Sequence, residues 1–95
     1  GQGCTLFIAC PSLKTIPAAL FDKALKASKF DYAFAGCTGL TGESPYTMYN
    51  GNKIHLYERK QNYNLGGFNN RITGTKCFYN CTGLSDYEDI ATDWK

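Results

Sequence analysis

The sequence is short of several things that particular functions require. Its 95 residues contain one histidine, His55, one methionine, one tryptophan and three prolines. A lone imidazole rules out a His-rich metal site and any mechanism that needs histidines at two separate places. No apolar run is long enough to span a bilayer, so no membrane partner is expected. Internal repeats, low-complexity stretches and linker-like segments are missing, and the length leaves no room for two independent cores. We expect a single domain over residues 1–95, with 1–3 a disordered start, and a monomer. Nothing like a secretory leader opens the chain, which leads to the expectation of a mature form whose leader has been removed. No cofactor-binding motif is present, and none is expected.

Charge of one sign is also scarce: the net charge is +2. It is unevenly spread. Residues 1–82 carry nine Lys/Arg against four Asp/Glu, whereas residues 83–95 carry one Lys against Asp86, Glu88, Asp89 and Asp93. The body reads as mildly basic and residues 85–95 as an acidic, solvated tail. Mild basicity permits weak nucleic-acid contact without demanding it.

Aromatics and cysteines are abundant instead. Seven Tyr, six Phe and one Trp exceed what a small interior can hide, so some rings are expected at the surface, where Tyr suits partner binding. Five cysteines, Cys4, Cys10, Cys37, Cys77 and Cys81, argue for an oxidising compartment and a secreted protein. Their spacings lack the repeated close pairs that zinc favours, so no metal is expected. Two disulfides and one odd thiol are the plainer reading, and sequence alone leaves the pairing open. Asn80-Cys81-Thr82 fits the N-glycosylation pattern, with a cysteine in the middle that bridging would constrain.

Along the chain, residues 4–10 form an apolar run of strand length closed by Pro11. The pattern predicts a helix over 15–29: Thr15 caps it, Pro17 sits in the first turn, and Ile16, Leu20, Phe21, Ala24, Leu25 and Ser28 make one stripe. Lys23, Lys26 and Lys29 fall on the other side or its flank. Tyr46–Tyr49, then Asn50-Gly51, then residues 53–59 predict a β-hairpin with a type I′ turn. Residues 61–70 read as a Gly- and Asn-rich loop, and 71–75 with 78–82 as a further strand pair. The expected fold class is α+β, with one N-terminal α-helix packed on a curved antiparallel β-sheet and stiffened by disulfides.

The order of these features resembles the ribonuclease-like effectors secreted by cereal powdery mildew fungi. The first strand ending at Cys10 and the Ile16-Pro17 helix start with Ala24 and Ala27 resemble their opening. Ser44-Pro45-Tyr46-Thr47-Met48-Tyr49 is similar to a Tyr-Pro-x-x-Tyr strand of that fold, and Tyr57-Glu58 to the Tyr-Glu of small guanyl-specific fungal ribonucleases. Gly66-Gly67-Phe68-Asn69-Asn70-Arg71-Ile72 resembles their Gly-rich loop leading into an Arg-bearing strand. The resemblance spans residues 4 to about 84 and implies a ribonuclease-like fold. It also implies a disulfide from the first strand to the C-terminal part, shifted here to Cys77 or Cys81, since no cysteine follows.

Guanyl-type cleavage needs a base, an acid and a cation on the phosphate. Glu58 and Arg71 match base and clamp, but the resemblance implies one His near Tyr46 and another near the final strand, and neither is present. In a regular strand His55 and Glu58, three residues apart, face opposite sides unless a bulge intervenes. A missing proton donor lowers the rate about 10²–10⁴-fold. The expectation is therefore not an enzyme but a catalytically inactive, secreted effector, translocated into the host cell, that binds a host plant protein and is recognised by an intracellular immune receptor. Tyr46, Glu58, Arg59, Tyr63, Phe68, Arg71 and Tyr87 are the candidate binding residues. The alternatives are an active ribonuclease, a non-catalytic RNA binder using Arg59, Arg71 and the tyrosines, and an extracellular toxin or inhibitor on a different scaffold. In bland terms, Glu58 and Arg71 form a cross-strand ion pair and Gly66-Gly67 a turn.

Overall fold

Asn50 and Gly51 carry the one sequence signal that dictates backbone geometry outright. A computed structural model of the chain, which describes residues 9–65 and 67–95, gives both a positive φ, 52° and 81°. That pair makes the tight reversal whose twist matches flanking strands. It joins β1 (Tyr46–Tyr49) to β2 (Asn52–His55) in antiparallel register, with Tyr46 opposite His55 and Tyr49 opposite Asn52. Thr47 and Ile54 face inward while Met48, 59% exposed, faces out, as the two-residue alternation requires. The hairpin is as expected, except that β2 stops at His55 and does not run on to residue 59.

The rest of the expected architecture is not formed. Among the described residues the only further regular elements are short 3₁₀ turns at Leu56–Glu58, Lys60–Leu65, Tyr87–Asp89 and Thr92–Trp94. Among them there is no α-helix packed on a curved antiparallel sheet, and hence no ribonuclease-like arrangement; the sheet has two strands. The predicted helix over 15–29 is a run of separate turns, closed by the N–H groups of Leu20, Asp22, Ala24 and Ala27 onto carbonyls three residues back. The cause lies in competition for carbonyls. An α-helix would use the oxygens of Ala18, Phe21 and Ala24 for its own ladder. Here Ala18 accepts from the Tyr46 N–H. Phe21 and Ala24, each already accepting from the N–H three residues on, give their second lone pair to the Arg59 guanidinium and have none left for a donor four residues on. Tertiary partners override the local propensity.

Residues 71–82 make no strand pair either. Segments 30–36 and 73–79 lie side by side, with the N–H groups of Phe30, Tyr32, Phe34 and Gly36 donating to Thr73, Thr75, Cys77 and Tyr79 at 2.8–2.9 Å. The intervening N–H groups of Ala33, Ala35 and Cys37 turn back onto their own segment. Among the described residues a single bridge, Lys29 to Thr73, has ladder geometry outside the hairpin.

These stacked turns enclose an aromatic core. Phe34 and Phe78 stack with ring centroids 5.6 Å apart, Trp94 packs on Phe78 and Phe30 at 6.5 Å, and Phe21 meets Phe30 edge-on at 5.0 Å. Burying each such ring contributes about 1.5–3 kcal/mol. Gly74 is required beneath Trp94, because a Cβ there would overlap the indole. The expected acidic tail is part of this core: Ile90 and Trp94 are buried, and the N–H groups of Lys76 and Phe78 donate to Asp93 and Trp94.

The disulfide expectation is also corrected. Cys77 and Cys81 are free thiols, fully buried beside the equally buried Cys37, so no bridge joins the N-terminal segment to the end of the chain. Cys10 is disulfide-bonded, but not to any of these three. Cys4 and residues 4–8 of the expected strand over 4–10 lie outside the described residues; of its end, Ala9 has a left-handed φ of 55° and is not extended. Burial pushes the Cys77 and Cys81 thiols up, that of Cys81 to about 12, which makes both poor nucleophiles. Space filled by aromatic rings and thiols takes the place that a cross-link was expected to hold.

Candidate functional site

Leu56 and Tyr57 are apolar enough to be drawn inward, and their burial ends β2 and rolls the chain into the turn Leu56–Glu58. The turn is fixed by the Leu56 N–H donating to Pro45 O at 3.0 Å. It returns Glu58 to His55, which a continuing strand would not do. Glu58 Oε1 accepts from the His55 backbone N–H at 2.9 Å and lies 2.8 Å from His55 Nδ1. The expectation that the two side chains face opposite sides fails because the strand ends between them.

The other ring nitrogen is also engaged. His55 Nε2 lies 2.6 Å from Glu43 Oε2 and 3.7 Å from Asp86 Oδ2. Asp86 is itself held, accepting from the Ser44 N–H at 3.0 Å and the Ser44 hydroxyl at 2.5 Å. Glu43 additionally accepts from Lys53 Nζ at 3.1 and 3.2 Å. Tyr57 stacks on the imidazole at 5.3 Å and Tyr46 meets it at a steep angle at 5.7 Å, leaving the His55 side chain 14% exposed. Two nitrogens facing two carboxylates are satisfied together only by the doubly protonated ring. Burial works against that charge, but the hydrogen bonds to Glu43 and Glu58 outweigh it and raise the pKa above 6.5. Reciprocally, His55 and then Lys53 lower the pKa of Glu43 below 4.5. Burial, reinforced by the surrounding carboxylates, also raises the pKa of the Tyr57 hydroxyl.

A second polar knot lies behind the hairpin. Arg59, 2% exposed, donates to Ala24 O at 3.2 Å, Phe21 O at 3.1 Å and Thr47 Oγ1 at 3.0 Å, and lies over the Phe68 ring at 5.0 Å. The Thr47 hydroxyl in turn donates to Asp22 Oδ1 at 2.7 Å. Among the described residues nothing hydrogen-bonds the Arg59 Nε.

The expected binding residues therefore separate into three groups. Tyr46 and Glu58 belong to the His55 cluster. Arg59 and Phe68 are brought together in the interior, and as buried residues they offer no surface contact in this conformation. Tyr63, 49% exposed, and Arg71 lie on the surface, while Tyr87 is half-buried beneath Lys95, 4.9 Å from its ammonium. Among the described residues no ion pair joins Glu58 to Arg71; Glu58 is paired with His55.

The sequence does not point to Glu43, Ser44, Lys53 and Asp86 as members of a cluster. The His55 to Glu58 spacing of three is a usable signal for a turn; nothing local leads from Ser44 to Asp86, 42 residues away. Elsewhere, Leu13, Thr15, Ile16, Pro17, Leu20 and Phe34 line an apolar hollow of about 180 Å³. Among the described residues no group of His, Cys, Asp and Glu is arranged to hold a metal ion, and no helix is long and apolar enough to cross a membrane. No protein-family model, curated protein or solved structure matches the chain.

Proposed function

We propose that this chain acts by recognition: a secreted domain that binds a macromolecular partner and carries out no turnover of its own. The observation that carries this reading is the occupancy of His55. Glu43 and Glu58 take both ring nitrogens, so no N–H remains to protonate a leaving group. The disulfide at Cys10 supports secretion, since such bridges persist in oxidising compartments. The exposed side chains of Met48, Tyr32, Tyr63 and Tyr79 supply the flexible and aromatic surface that partners use. From the effector resemblance, the partner proposed is a host plant protein, with an intracellular immune receptor as the recognising molecule.

One observation favours a second reading. Glu58, about a third exposed, lies 2.8 Å from His55, so a carboxylate and an imidazole, the residue types that RNA cleavage uses as base and acid, stand together near the surface. Incubation with guanosine-containing RNA separates the two. The recognition reading expects no 2′,3′-cyclic phosphate ends; their appearance, abolished by Glu58→Gln, overturns it. The positive outcome is capture of a plant protein by the purified chain, weakened at least tenfold by Tyr63→Ala or Met48→Ala. A tenfold loss of affinity corresponds to about 1.4 kcal/mol for the truncated side chain.

A further inference from the structure

We propose that Asn80 is an N-glycosylation site that accepts an oligosaccharide from a lipid-linked donor, a modification that rests on the secreted reading above. Asn80-Cys81-Thr82 is the one Asn-x-Ser/Thr triplet in the sequence, and its middle cysteine is the obstacle, because a bridge there would tie down the acceptor. In the structure Cys81 is a free thiol turned into the core, donating to Phe34 O at 3.1 Å, while Asn80 and Thr82 are both exposed.

The turn sorts its residues by direction. Phe78, Cys81 and Leu84 are buried, whereas Tyr79, Asn80, Thr82 and Gly83 face solvent. Asn80 adopts a left-handed φ of 64°, a conformation Asn tolerates better than other side chains, and the Cys81 N–H donates to Phe78 O at 3.0 Å to close the turn. Among the described residues nothing hydrogen-bonds the Asn80 carboxamide. A glycan on Asn80 therefore points away from the stacked rings of Phe34, Phe78 and Trp94. In the transfer, the carboxamide nitrogen forms a bond to the anomeric carbon. The bond from that carbon to the donor's phosphate breaks, the lipid pyrophosphate leaves, and the amide gives up one proton.

The test is to express the full chain behind an appended secretion leader in a eukaryotic secretory host and to measure the secreted protein by intact mass and peptide mapping. The expected result is a heavier glycoform mapped to Asn80, reduced to the plain chain by peptide N-glycosidase with aspartate left at that position. Thr82→Ala, which keeps Asn80 and its turn, abolishes the glycoform, as does Asn80→Gln; Thr82→Ser retains it. Secreted protein with unmodified Asn80 throughout, or a glycan that survives Thr82→Ala, overturns the proposal. Because the leader is supplied, this outcome is independent of whether the chain is exported by its own host. Locating the native protein inside its producing cell would sink the secreted reading alone.

Discussion

The two halves of this molecule are held by opposite kinds of chemistry. Around segments 30–37 and 73–81 the contacts are aromatic rings and buried thiols, with backbone hydrogen bonds satisfied between neighbouring turns. Around the hairpin they are charges: His55 between Glu43 and Glu58, and Arg59 among the carbonyls of Phe21 and Ala24. The first half gains its stability from burial, which does not depend on the titration of a side chain. The second half gains definition from a few directional bonds that a proton can switch. The described residues, which include no large sheet or helix, use both: rings to make an interior, and ion pairs to fix where the hairpin sits against it.

Breaking each half should therefore give different signatures. The largest effect is expected from Phe78→Ala, which removes the ring stacked on both Phe34 and Trp94; urea melts should show a loss of about 3–5 kcal/mol, the same at pH 5 and pH 8. Arg59→Met should cost about 1–3 kcal/mol, because the buried Thr47 hydroxyl loses its donor and the Phe21 and Ala24 carbonyls each lose one of two donors. Released from Arg59, residues 15–29 should gain helical signal by far-UV circular dichroism; no gain would mean that carbonyl competition is not what suppresses the helix.

The smallest effect is the most diagnostic. His55→Gln should lower stability by about 1 kcal/mol or less, since Glu43 and Glu58 are about a third exposed and screened. The folded His55 pKa is raised, so its contribution is complete below 6.5 and is lost as pH rises through the folded value. The folded Glu43 pKa is lowered, so its contribution is present above 4.5 and is lost as pH falls through the folded value. Wild-type stability measured against His55→Gln should thus peak in the mildly acidic window between these limits. A difference that is flat from pH 4 to pH 9 would mean the cluster contributes nothing.

The same contrast explains what is legible in the sequence. Asn50-Gly51 announces its turn because backbone geometry at those two residues is a local matter. The helix over 15–29 is sound by periodicity and capping, and it stops at separate turns because a guanidinium 35 and 38 residues away occupies the second lone pair of two of its carbonyls. Residues 85–95 read as a solvated tail because four acidic side chains stand against one lysine, yet Ile90 and Trp94 anchor it and Asp86 is held by Ser44. Glu58 and His55 read as mutually remote only if the alternation of a strand is extended three residues beyond its end. Composition and period report what each residue prefers alone; they do not report which distant donor reaches it first.

At the centre of the site His55 places each ring nitrogen within hydrogen-bonding distance of a carboxylate, an arrangement that favours the imidazolium with both N–H groups committed. Nitrogen–proton NMR of the imidazole at pH 6 measures this directly. Two distinct, slowly exchanging ring N–H signals are predicted, the Nδ1 signal lost in Glu58→Gln and the Nε2 signal lost in Glu43→Gln, with a titration midpoint above 6.5. A single neutral tautomer at that pH, with a midpoint at or below 6.5, would contradict the account, because one ring nitrogen would then have no proton to share with its carboxylate.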